Sequence, residues 1–112
     1  MPTSNQSCYM KYTTVGDRRV CNNLLKAILD SGYVVSVCDG EEWTLKQSDS
    51  LTAIKDALGS TGDDTLRVRK CKGGDVVGSF WLIWDNGDDY PISDYTANDE
   101  CDRLCKLSGQ DD

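Results

Sequence analysis

Residues 65–84, TLRVRKCKGGDVVGSFWLIW, decide how this chain folds. Alternating apolar and basic side chains lead into a glycine-bearing turn, and a nearly continuous apolar run follows, the pattern of a β-hairpin. The length of the connection sets which side chains share a face, because a one-residue slip turns a strand over. A three-residue connection, with Cys71 opposite Asp75 and Gly74 left-handed, places Leu66 and Val68 on the face of Val76, Phe80, Leu82 and Trp84. Val77, Trp81 and Ile83 then point the other way. A two-residue Gly-Gly turn would reverse the assignment. Burial on both faces would explain the same run without any function. The three-residue form predicts Trp81 at the surface and Trp84 in the core.

That choice leans on an earlier segment, YVVSVCDGEEWTLK (33–46), which reads as a first hairpin. Connecting it through Cys38-Asp39-Gly40, with Gly40 left-handed, sets Val35 opposite Trp43 and Tyr33 opposite Leu45. The apolar sets then coincide. Three helical patterns surround the hairpins. Asp17 offers an N-cap for 18–32, where Val20, Leu24, Ala27 and Ile28 recur at helical spacing before Gly32. Residues 48–59 follow, with Ser48 or Ser50 as cap, Leu51, Ile54 and Leu58 inward, and Gly59 as the stop. Residues 93–107 close the chain with Cys101, Leu104 and Cys105 inward. Two serine–aspartate steps, Ser48-Asp49 and Ser93-Asp94, give the halves a matching outline, although such a pair is ordinary helix capping.

The order α-ββ-α-ββ-α predicts a small α+β domain, an antiparallel four-stranded sheet with helices mainly on one face. Residues 1–14 are polar and aperiodic and are expected to form a flexible N-terminal arm. Residues 15–107 form the single domain, and 108–112 a flexible acidic tail.

Composition excludes more than it assigns. Nineteen acidic side chains stand against 12 basic ones, the net charge is −7, and there is no histidine. That balance opposes a protein that binds nucleic acid by neutralising phosphates. The opening residues hold no apolar h-region, and no apolar run approaches the roughly 18 residues of a membrane span. A cytoplasmic protein with six free thiols is therefore expected. Without Cys-x-x-Cys or histidine there is no zinc ligand set, and no cofactor is expected. A phosphate loop, a nucleophile elbow and a dinucleotide fingerprint are all missing. Cys21, Cys101 and Cys105 are expected to pack as small hydrophobes. Cys38, Cys71 and Cys8 lie where a thiol could react, but no histidine stands by as their base. No enzyme is expected.

One charge cluster stands out. In an antiparallel hairpin the start of one strand lies beside the end of the other. Asp63 and Asp64 should therefore meet Asp85, Asp88 and Asp89 at one edge, opposite Lys70 and Lys72. The spacing matches no EF-hand calcium loop, so a solvated turn or a contact for a basic partner is the expectation, not a metal site.

The segments SGYVVSVCDGEEWTLKQSDSLTAIKDALGSTGDDTLRVR (31–69) and NGDDYPISDYTAND (86–99) carry a resemblance. The Gly-Tyr strand, Asp-Gly-Glu-Glu-Trp, Ser-Thr-x-x-Asp and Asp-Tyr-Thr-x-Asn resemble a family of small, functionally uncharacterised tailed-bacteriophage proteins. The likeness spans roughly 30–99. It carries no catalytic residues and implies only a setting, the cytoplasm of an infected bacterium. The expected function is a non-enzymatic accessory protein that binds a host or phage macromolecule, most naturally a protein and not a membrane. The expected contact residues are Val77, Trp81 and Ile83 on the apolar stripe and Asp63, Asp64, Asp85, Asp88 and Asp89 on the acidic edge. Inhibition of a host defence or transcription protein through that edge is one form, although Arg67, Arg69, Lys70 and Lys72 interrupt any phosphate-like row of acids. A structural or self-associating virion-related module, such as a homodimer, is the alternative. A carboxylate- or metal-dependent enzyme stands last.

Overall fold

The computed structural model describes residues 8–87 and 90–109. Helices α1 (Cys8–Tyr12) and α2 (Val15–Asp30) precede strands β1 (Val34–Cys38) and β2 (Trp43–Ser48) and helix α3 (Leu51–Asp56). Strands β3 (Asp63–Arg69), β4 (Val76–Ile83) and β5 (Ile92–Tyr95) and helix α4 (Asp99–Ser108) follow. The sheet runs β2-β1-β3-β4-β5, with every neighbouring pair antiparallel. The α+β class stands, and the strand count is five instead of four. No helix among the described residues is long and apolar enough to cross a membrane.

The fifth strand comes from ISDY, whose Ser93-Asp94 step reads as a helix start in the sequence. In the fold these residues pair with the outer edge of β4, Tyr95 opposite Phe80 and Asp94 opposite Trp81. The cap of α4 is Asn98 instead, whose side chain accepts the Cys101 N–H at 2.7 Å. In the other half Ser50 caps α3. The two serine–aspartate steps are therefore not equivalent.

All four described helices lie on one face of the sheet. Val20, Cys21, Leu24, Leu25 and Ile28 of α2, Ile54 of α3, and Cys101 and Leu104 of α4 share a single core. From the sheet come Val35, Val37, Leu66, Val68, Phe80 and Leu82. Each fully buried aliphatic or phenyl side chain contributes about 1.5–3 kcal/mol. Close approach matters at Gly78, where a Cβ would lie 2.4 Å from Cys101 Sγ, so α4 packs directly on the backbone of β4.

The chain start is more ordered than its composition predicts. The flexible-arm expectation fails from Cys8 onward, since residues 8–12 are helical and Tyr9 is buried. Its ring meets Trp84 edge-on at 5.7 Å, and Thr13 is also buried. Gly59 makes room: at φ +81 it would place any Cβ 2.8 Å from Tyr9 Cα. Two tyrosines three residues apart in a polar segment, only Tyr9 of them buried, give no sustained periodicity, so this docking leaves no pattern to read. Residues 1–7 and 110–112 lie outside the described residues. Ser108, assigned to the tail, is buried at the end of α4.

Asp17 is not the N-cap of α2. Thr14 is, and Asp17 answers it from the third helical position: Asp17 N–H donates to Thr14 Oγ1 at 3.0 Å, and Thr14 N–H to Asp17 Oδ2 at 3.3 Å. The pair forms a capping box that starts the helix three residues earlier than expected.

Each hairpin differs from its expected turn. In the first, Cys38 pairs with Trp43 and Val37 with Leu45, around a four-residue connection. Asp39 builds it: its Oδ1 accepts the N–H groups of Glu41 and Glu42, each at 3.0 Å. That aspartate-centred turn outcompetes the shorter loop. Gly40 keeps its positive φ of 102°. In the second hairpin the body matches expectation, Leu66 opposite Phe80 and Val68 opposite Gly78. The turn does not: Lys70 N–H donates to Asp75 O, and Gly73, not Gly74, is left-handed at φ 73°. A bulge beside Val68 and Arg69 absorbs the extra residue. It also exchanges the two valines beyond it, leaving Val76 exposed and Val77 half-buried against the core.

Candidate functional site

The sheet face that no described helix covers is laid out by strand register. One row runs Trp43, Cys38, Thr65, Trp81 and Asp94 across all five strands. The next holds Ser36, Arg67 and Ser79, and the third Val34, Arg69 and Val76. Ile83 stands beyond the first row, opposite Asp63. Trp81 and Ile83 are 41% and 42% exposed and Val76 48%. Adjacent strands lie about 4.8 Å apart, so Trp43 and Trp81 sit roughly 14 Å apart on the same row.

Charge on this face is sorted. A hollow of about 230 Å³ near β2 is lined by Ser36, Trp43, Lys46, Gln47, Arg67 and Arg69. The Arg67 guanidinium lies 4.8 Å over the Trp43 ring, a cation–π contact. Arg69 Nη1 donates to Gly74 O at 2.9 Å. Gln47 walls the hollow in a left-handed conformation, φ 48°. Its N–H donates to Ser36 Oγ at 2.9 Å, and its Oε1 accepts the Gly73 N–H at 2.6 Å, tying the edge strand to the second turn. At the opposite end of the face, the carboxylates Asp63 and Asp94 are exposed.

One member of the predicted acidic edge departs from expectation. Asp63 and Asp85 are exposed, while Asp88 and Asp89 lie outside the described residues. Asp64 is only 2% exposed and belongs to the core side. Its Oδ2 accepts the Gly59 N–H at 2.9 Å and the Trp84 Nε1–H at 2.8 Å. Burial holds this carboxyl above its usual range, although both hydrogen bonds pull the other way. The backbone explains the placement: Asp64 lies two residues before Leu66 and must share its face. Extending the alternation back from Leu66 and Val68 would have found it. Asp85, at φ 51°, turns its N–H to Asp17 Oδ2 at 2.8 Å. That bond closes the loop after β4 onto the start of α2.

Of the expected apolar contacts, Trp81 and Ile83 stand together on the open face, and Val77 does not join them. Trp43 does, although its predicted place opposite Val35 was on the core side. The longer Asp39 turn put it there.

Five of the six thiols follow their expected positions; Cys38 does not, lying half-buried at the end of β1 between Trp43 and Thr65 and not in the turn. Cys21 and Cys101 are buried, Cys105 is half-buried, and Cys8 and Cys71 are exposed. Burial pushes the Cys21 thiol up to about 12, which leaves it without thiolate at neutral pH. Among the described residues no group of three or more cysteine, aspartate and glutamate side chains is arranged to hold a metal ion. No family model matches the chain, and no curated protein or solved structure matches it.

Proposed function

We propose that this chain is a non-enzymatic binding protein, an accessory factor of the phage kind that its sequence resembles, whose working surface is the open face of the sheet. The observation that carries the reading is the exposure of Trp81 and Ile83, 41% and 42%, on a face that none of the described helices covers. Exposed aromatic and aliphatic side chains placed together on rigid strands are what binding hot spots are made of. Trp84, three residues on, is 5% exposed, so the strand is not simply apolar throughout for packing. The acidic-edge version loses support, because Asp64 is committed to the core.

Site-specific cross-linking tests the reading. A benzophenone side chain at position 83 should give adducts with a partner in host lysate, and one at Lys26, exposed on α2, should not. Adducts from position 26 alone, or from neither, would refute it. Self-association is the second reading, favoured by the same apolar pair and opposed by the net charge of −7. A monomeric mass by light scattering removes it.

A further inference from the structure

We propose that the hollow around Trp43 receives an acidic peptide segment of the partner. Its carboxylates would enter between Lys46, Arg67 and Arg69, and a neighbouring apolar side chain would lie on Trp81 and Ile83. The inference rests on the open-face reading above and names the chemistry of what that face binds.

Charge supplies the first argument. The chain carries −7 overall, yet this hollow gathers three cations and its lining holds no carboxylate. Among the described residues none of the three cations forms an ion pair. Three cations on one wall with no carboxylate among them are complementary to a negative group from outside. Geometry supplies the second. The Arg67 guanidinium carbon stands 4.8 Å over the Trp43 ring centroid, and a cation–π contact with the ring face uses none of the in-plane N–H donors that a carboxylate fork needs. Arg67 and Arg69 are two residues apart on β3 and so point the same way, about 7 Å apart along the strand. That spacing suits successive same-side carboxylates of an extended peptide. The Gln47 wall is held by Ser36 and Gly73, so the hollow is formed before anything enters.

The far end of the face decides between macromolecules. A nucleic acid strand carries a charge at every nucleotide, and its path from the hollow across Trp81 would meet exposed Asp94 and Asp63. A peptide can be acidic over the hollow and apolar over Trp81. The sorted charge fits the peptide.

Calorimetric titration of the full chain tests this with three probes: a short peptide of glutamates flanking a Leu-Phe pair, the same peptide with lysines, and oligo-dT. The acidic peptide should bind saturably, the lysine peptide should not, and added salt should weaken the binding. Lys46→Glu and Arg67→Glu should each lower affinity about tenfold, with folding by circular dichroism unchanged. Arg67→Lys should lose less, keeping the charge without the fork. Absent binding, tighter binding of oligo-dT, affinity unchanged from the unaltered chain in both charge-reversal variants, or a dimer that the peptide leaves intact each overturns the inference. Partner cross-linking from position 83 that survives in Arg67→Glu would remove the acidic segment alone. Loss of that cross-linking in the unaltered hollow would remove the open-face reading itself.

Discussion

Trp81 and Trp84 are three residues apart, and the molecule treats them in opposite ways. Trp84 is 5% exposed, its ring against Tyr9 and its indole N–H on Asp64. Trp81 is 41% exposed, with Thr65 and Asp94 as its cross-strand neighbours. Hydrophobicity does not separate them. What separates them is whether the opposite layer supplies a shape and a hydrogen-bond acceptor. The core face does, through α1 and a buried carboxylate; the open face leaves both to something outside the chain.

The sharpest way to break this contrast is to truncate both rings. Trp84→Ala should cost about 3–5 kcal/mol in chemical denaturation, because a large cavity opens under α1. A loss below about 1 kcal/mol would mean that the surface collapses around the gap.

Next in size are changes at Asp64. Removing the carboxylate in Asp64→Ala strands the buried Trp84 N–H and should cost about 1–3 kcal/mol. Asp64→Asn keeps an acceptor for both donors, and its expected difference from wild type is mainly a pH effect. Burial raises the folded carboxyl above the usual 3.8, so the folded state holds that proton more tightly than the unfolded one. The associated stability is fully present below 3.8 and is lost as pH rises through the raised value. Wild type should therefore lose stability relative to Asp64→Asn between acid and neutral pH in melts across that range. Parallel curves would refute the assignment.

Trp81→Ala should change stability by no more than about 0.5 kcal/mol while abolishing partner cross-linking from position 83. If it unfolds the domain, the open face is a second core and the contrast disappears.

The smallest effect is expected at Glu100, where Arg103 and the Tyr33 hydroxyl hold the carboxyl down at about 2. A depressed group stabilises above its unfolded value of 4.5, and that contribution is lost as pH falls through about 2. Glu100→Gln should flatten the acid limb slightly, since the pair is exposed and solvent screens it. An acid limb identical to wild type would show that the clasp contributes nothing.

Much of this was legible in the alternation of β3 and β4, which assigned Phe80, Leu82 and Trp84 inward and Trp81 and Ile83 outward. Long periodic runs are readable because burial on one face acts at every second residue. The turns were less so. Asp39 makes its loop with side-chain hydrogen bonds that no hydrophobic pattern registers, and with it Trp43 moved to the open face. The bulge beside Arg69 reversed Val76 and Val77 for the same kind of reason. Strand β5 was hidden because Ser93-Asp94 has the chemistry of a helix cap as well as of an edge strand. The cation hollow was invisible in composition, since Lys46, Arg67 and Arg69 meet only when β2 and β3 are placed on either side of β1. Asp64 was the exception, a residue whose position the alternation already contained.

The contact of Tyr9 with Trp84 over Gly59 has a consequence for how the chain is made. The first described helix finds its seat only when the end of β4 is present, so a ribosome must deliver most of the protein before the core can close. Until then α2 and the first hairpin must wait with their apolar sides open. A fusion partner joined ahead of Cys8 would hang on a helix that stays undocked until Trp84 has been made, whereas one following Gly109 would trail α4, whose seat on β4 is present before it emerges. Expression with the two placements should differ in soluble yield, with the N-terminal fusion the poorer.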